Sequence, residues 1–180
     1  MVERLDGLSK PPENKDSNVT SSSTLSIRRQ QVLQLRARGM KTKEIAQALH
    51  ITGQSVRNHN TDIDNKLDED RKTDSHRALR SVLIGVEKGI INPDLVLKDV
   101  GLDVSFIGRL TPRQKEIIKC MHENRSISRK LVAGLLFITS SSVRNLVGSI
   151  RMLAWTKAGK EINIIPIVIA YGEAQKQGKV

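Results

Sequence analysis

The sequence predicts an all-α chain built from two tandem units of four short helices, behind a disordered N-terminal tail. Three observations carry this expectation. From Leu25 onward apolar residues recur at helical spacing, with no sustained two-residue alternation. Gly, Ser and Thr stand between the periodic stretches, where helices start and stop. The string Ile51-Thr52-Gly53-Gln54-Ser55-Val56-Arg57-Asn58 also returns as Ile138-Thr139-Ser140-Ser141-Ser142-Val143-Arg144-Asn145.

Residues 1–24 are poor in apolar groups, end in a Ser/Thr run and carry balanced charges, so they read as a disordered tail. Val32, Leu33 and Leu35 then mark a helix over about 26–37, closed by Gly39 in a left-handed conformation. Thr42 is expected to cap a second helix over about 42–49, with Glu44 in its first turn and Ile45, Ala46 and Leu49 facing inward. Thr52 caps a third over about 53–67, and a fourth over about 74–88 carries Leu79, Val82, Leu83 and Val86 before Gly89. The acidic run 68–70 reads as a solvated turn.

The second unit repeats this order. Leu25-Ser26 pairs with Leu110-Thr111, Arg28 with Arg113, and Gly39 with Asn124, a residue that also tolerates the left-handed region. A two-residue insertion near Arg125 to Ser128 brings the later strings into line. Thr111-Pro112-Arg113-Gln114 is a capping box with proline at the first helical position. The domains expected are therefore 25–91 and 110–180, joined by a linker, 92–109, in which 94–98 extends a short helix and 101–108 is irregular. Pro166 fits the first turn of a last helix, while the β-branched run from Ile162 to Ile169 leaves a strand open.

The composition narrows the function. A formal net charge of +11 over 180 residues suits a phosphate-rich partner. Aromatic content of 2% leaves few platforms for stacking unpaired bases, which favours double-stranded DNA over single strands or RNA. Cys120 is the only cysteine, set among Ile117, Ile118 and Met121, and reads as a small buried hydrophobe. Four scattered histidines lack ligand spacing, so no metal or cofactor is expected. Without a phosphate-binding loop, a nucleophile elbow or a carboxylate pair, the chain reads as non-enzymatic. No apolar run reaches membrane-spanning length and no signal-peptide pattern opens the chain, so a cytoplasmic, nucleoid-associated protein without membrane contact is expected.

Helical geometry picks out a reading face. At about 100° per residue, Val56, Ile63 and Leu67 fall within about 20° of one line, the inward side of the third helix. Opposite lie Gln54, Asn58, Thr61 and Asn65 with Arg57 at their edge, while Asp62 and Asp64 fall on the flanks. Arg matches guanine bidentately in the major groove, and Asn or Gln matches adenine. In the second unit Val143, Ile150 and Ala154 face inward. Its outward stripe is the thinner set Ser141, Asn145, Gly148 and Met152, flanked by Arg144 and Arg151. That unit is expected to hold phosphates and discriminate bases less, with packing or dimerisation as the alternative.

These residues resemble the LuxR/GerE-type helix-turn-helix family, a four-helix module without wings. The first copy matches through Leu25-Ser26-Ile27-Arg28, Val32-Leu33, Gly39, Lys43-Glu44-Ile45-Ala46, Leu49, Ile51-Thr52, Ser55-Val56-Arg57, His59, Ile63 and Lys66-Leu67. The second, divergent copy matches through Leu110-Thr111-Pro112-Arg113, Glu116-Ile117-Ile118, Ala133, Leu136, Ile138-Thr139, Ser142-Val143-Arg144 and Ile150. The resemblance implies a sequence-specific transcription regulator. Base contacts would fall on Arg57, Asn58 and Thr61, and on Arg144, Asn145 and Gly148; phosphate contacts on Thr42, Lys43, Thr52, Ser55, Thr139 and Ser142. It also implies pairing through the fourth helices, as a homodimer of two chains or between the two copies of one chain. The sequence departs from the pattern at His50 and Phe137, where the family has Gly, at Leu131, where it has Glu, and at Asn60, an inward position. No sensing domain is expected in the 24 residues before the motif. The competing reading is a protein-interaction adaptor resembling sigma-factor region 4, with RNA polymerase as a partner and the second copy used for assembly.

Overall fold

The computed structural model describes residues 25–67 and 77–180, and every regular element among them is an α-helix. The first four are α1 (Ile27–Ala37), α2 (Thr42–Ala48), α3 (Gly53–Leu67) and α4 (Arg77–Glu87). The short helices α5 (Pro93–Val100) and α6 (Ser105–Gly108) follow. The last four are α7 (Pro112–Glu123), α8 (Arg129–Leu135), α9 (Ser140–Ala158) and α10 (Ile164–Lys176). The expected tail, the acidic turn at 68–70 and the expected start of the fourth helix lie outside the described residues.

The local signals act largely as anticipated. Gly39 ends α1 at φ +79°, and the Ser55 amide donates to Thr52 Oγ1 at 3.0 Å at the start of α3. The capping box of α7 is complete, with the Gln114 amide on Thr111 Oγ1 at 3.3 Å and the Thr111 amide on Gln114 Oε1 at 2.9 Å. At α2 the expectation needs correcting: Lys41 is the cap residue and Thr42 the first helical one. There the Glu44 carboxylate accepts from the Lys41 backbone N–H at 2.6 Å, which satisfies an amide that has no carbonyl partner within the helix.

The left-handed stop of α7 is Arg125 at φ +49°, whereas Asn124 stays right-handed at φ −88°. The reason is length. Helix α7 has 12 residues against 11 in α1, so one of the two extra residues lies inside the helix and shifts its end by one position. In segment 92–109 the short helix expected at 94–98 is α5, and the stretch 101–108, expected to be irregular, ends in the single turn of α6. Asn92 caps α5, and Val96, Leu97, Val100, Leu102, Phe106 and Ile107 of this segment are buried. The β-branched run is the first half of α10, not a strand; Asn163 caps it, and the side chains are fixed by burial, which overrides their weak helix preference.

Buried apolar side chains of all ten helices among the described residues form one continuous core. α1 packs on α3 and α4, and α7 correspondingly on α9 and α10. Individual bonds correspond as well. Arg28 donates to the Leu49 carbonyl and Arg113 to the Leu136 carbonyl. Arg29 joins Asp62 across α1 and α3 at 2.6 Å; Gln114 joins Ser149 across α7 and α9 at 2.9 Å. α10 is buried from Ile164 through Gly172 and packs on α5, α6, α7 and α9. That stretch of the helix is therefore covered by its own chain, unlike the free fourth helix that dimerisation would need.

Candidate nucleic-acid interface

The reading face rests on how α3 is held. Val56 and Ile63 are fully buried and Leu67 nearly so, which turns the opposite side of the helix to solvent. Gln54, Arg57, Asn58, Thr61 and Asn65 are all exposed there, as the helical geometry predicts. Thr52 and Ser55 lie at the N-terminus of α3 with their hydroxyls 2.8 Å apart. Lys43 is exposed near the N-terminus of α2, and Thr42 is half-buried beside it.

The exposed residues are linked to one another. Gln54 Oε1 accepts from Arg57 Nε at 3.1 Å and from Arg57 Nη2 at 2.9 Å. Gln54 Nε2 in turn donates to Asn58 Oδ1 at 2.9 Å. Thr61 Oγ1 donates to the Arg57 carbonyl at 3.1 Å, one turn back.

Both acids near this face point away from it. Asp62 is taken by Arg29 of α1. Asp64, expected on a flank, is 8% exposed and grips Arg36 through two bonds of 2.8 and 3.4 Å. Ser81 of α4 adds a third bond to Asp64 at 2.6 Å, and Asn60 offers its carbonyl to Arg36 at 3.5 Å. This accounts for Asn60 at an inward position: it lines a polar cluster. The sequence signal for these contacts was the pair of arginines, Arg29 and Arg36, two helices earlier in α1.

Residues 23–78 match the family of bacterial regulatory proteins described as the luxR family. This segment is a LuxR-family helix-turn-helix domain. The match takes in α1, α2 and α3, including every candidate contact of the first copy. No curated protein and no solved structure matches the chain.

Beyond the LuxR-family domain, α9 presents Ser141, Arg144, Asn145 and Gly148 to solvent in the same order. Thr139 Oγ1 accepts from the Ser142 amide at 3.0 Å and lies 2.9 Å from the Ser142 hydroxyl, as Thr52 does with Ser55. Arg151 does not join this face. Its Nε donates to the Ile162 carbonyl at 3.1 Å and its guanidinium pairs with Glu161, so it ties α9 to the start of α10. The position on α9 that corresponds to Asp64 thus carries a cation with a different structural task.

Burial separates the remaining groups of interest from this face. It pushes the Cys120 thiol above its ordinary range, which keeps the sulfur protonated and unreactive. No cluster of His, Cys, Asp or Glu among the described residues could hold a metal ion. No single described helix is long and apolar enough to cross a membrane.

Proposed function

We propose that the chain is a sequence-specific, double-stranded-DNA-binding transcription regulator that reads the major groove with α3, while 110–180 acts as a second, less selective module. The observation that carries this is the face of α3. It is a row of exposed hydrogen-bonding side chains on a LuxR-family domain, with both neighbouring acids paired to arginines of α1. A duplex offers phosphates to Lys43, Thr52 and Ser55 and base edges to Arg57, Asn58 and Thr61, matching cation and hydroxyl to backbone and planar groups to bases. The net charge of +11 supplies the attraction that any sequence feels.

The second module is supported by the paired bonds of α1–α3 and α7–α9 and by the Arg144-Asn145 dipeptide. Its face is sparser because Gly148 has no side chain and Arg151 is engaged elsewhere. With both modules on one chain, and α10 buried, a covalent pair takes the place of a dimer joined through that helix.

A second reading has a specific observation behind it. Where α2 and its turn carry Glu44, Ala48 and His50, the later unit carries Leu131, Leu135 and Phe137, all exposed, Phe137 at 96%. Such an apolar set suits contact with another protein, polymerase included. One titration separates the readings. With a selected duplex, Arg57→Ala weakens binding by about 1–3 kcal/mol and relaxes one base position. Arg144→Ala lowers the salt dependence by about one phosphate contact if 110–180 lies on DNA, and leaves it unchanged if that unit contacts protein. Unchanged affinity and footprint for Arg57→Ala overturns the proposal.

A further inference from the structure

We propose that a second copy of this chain docks on the outward face of α8, with the two α8 helices antiparallel about a two-fold axis. This rests on the protein-contact reading of 110–180 and names the partner. The two units differ on this face in one direction only. Their inward residues stay alike, Ile45 and Ala46 against Val132 and Ala133, all buried. Outside, Gln47 gives way to Gly134 as well, between the exposed Leu131, Leu135 and Phe137. Both sets face solvent, so packing within the chain does not explain the exchange. The space over Gly134 is open, and a second helix backbone can come close there.

Charge identifies what covers the face. Arg129 and Lys130, at the start of α8, are exposed and form no ion pair among the described residues. At the other end of α8 a cavity of about 350 Å³ opens between α7 and α8. Buried Cys120 and half-buried Leu136 line it, and exposed Glu116 and Glu123 bring carboxylates to its rim. Glu116 pairs with Arg113 through one oxygen, and one oxygen of Glu123 lies 3.8 Å from Lys119, so the second oxygen of each is left for another cation. An apolar wall below a carboxylate accommodates the long stem and charged head of Arg or Lys.

The chain's own basic pair is at the wrong end to fill this cavity. Helix α8 has seven residues, about 10 Å of rise, with Arg129 at its start and Leu135 beside the cavity. An antiparallel second copy carries its Arg129 and Lys130 to that end. Two-fold symmetry makes the contact twice and sets Leu131 and Leu135 of both copies between the charged ends. Phe137, just past the end of α8, then offers its ring to the incoming cations. The face contains none of Ser141, Arg144 and Asn145.

The test is sedimentation equilibrium of the full chain without DNA, at concentrations up to about 1 mM, with circular dichroism confirming helix content. The chain should pass from one copy to two as concentration rises. Phe137→Gly relieves the positive φ and keeps the fold, yet should weaken the pair by about tenfold or more. Arg129→Glu with Lys130→Glu, and separately Glu116→Lys with Glu123→Lys, should each stay monomeric, because like charges then meet at both contacts. Mixed in equal amounts, the two charge-reversed chains should pair again, since both contacts of the mixed pair join opposite charges. A chain that is monomeric at every concentration overturns the pairing; the protein-contact reading is judged separately, by the salt titration of Arg144→Ala. A dimer that survives both charge reversals, or a mixture that stays monomeric, overturns it as well. Arg129 and Lys130 stand where Thr42 and Lys43 do, so their competing use is a phosphate contact. Loss of duplex affinity on their reversal, with self-association unchanged, assigns them to that use instead.

Discussion

Arg36 and Asp64 show how single residues hold the reading face in place. Their side chains are 11% and 10% exposed, and Asp64 also accepts from Ser81 at 2.6 Å, so one carboxylate joins α1, α3 and α4. Removing the acid strands a buried guanidinium, whose desolvation is no longer offset. Asp64→Ala should destabilise the chain by about 3–5 kcal/mol in urea denaturation, well beyond the loss of an ordinary surface pair. Arg29–Asp62, with the aspartate 45% exposed, is the more solvated neighbour and contributes less. These two contacts were only partly legible in the sequence. Helical geometry sets each acid beside the polar stripe, but whether a flanking side chain turns outward or inward depends on the partner across the helix pair.

At the scale of the element, the turns before α3 and α9 are the clearest case of a local rule overridden. His50 and Phe137 adopt φ of +52° and +51°, where L side chains are strained by about 1–2 kcal/mol. The turn is nevertheless formed, because the helices on both sides are fixed by buried Ile45, Val56, Val132 and Val143. Phe137 has no packing to lose at 96% exposure. Phe137→Gly should raise stability by a net of about 0.5–1 kcal/mol, after the added freedom of the unfolded chain is deducted, as measured by thermal unfolding. An exposed aromatic kept at a strained position is also what the protein-contact reading of this unit leads one to expect.

For the whole molecule, the decisive contacts join the two repeats. Asn163 donates to the Gly39 carbonyl at 3.2 Å while capping α10, and a Cβ on Gly39 would lie 2.3 Å from Asn163 Cβ. Arg125–Glu87 adds an ion pair between the repeats, while Arg38–Asp99 and Lys157–Asp103 tie each repeat to the segment 92–109 that bridges them. Acid should loosen this junction in two stages. His122 packs on Tyr171 and faces Glu123, Glu87, Arg125 and Lys176; burial holds its pKa below the ordinary 6.5. The unfolded chain then binds the proton more readily, so stability is full above pH 6.5 and declines as pH falls through and below that value. Asp103 is held at about 2, first by the Ser105 hydroxyl and then by Lys157, so a second loss falls between pH 3.8 and about 2. The melting temperature should fall between pH 8 and pH 5, and His122→Gln should flatten that first decline while leaving the second.

What the sequence determined by itself was local: the helices, most of their caps, the internal repeat and the polar stripe of α3. These depend on spacing along one chain segment, where periodicity and side-chain chemistry act directly. Only the tertiary structure decided where the neighbouring charges go. It turned Asp64 into the core and drew Arg151 off the second face. It also made 92–109 a buried bridge and covered α10 through most of its length. Each of those outcomes depends on what lies across a packed interface from a residue distant in sequence, which no local pattern records. The first reading face was legible because it is defined by contacting nothing else in the fold. Its hydrogen-bond order, from Arg57 through Gln54 to Asn58, required the side chains in place.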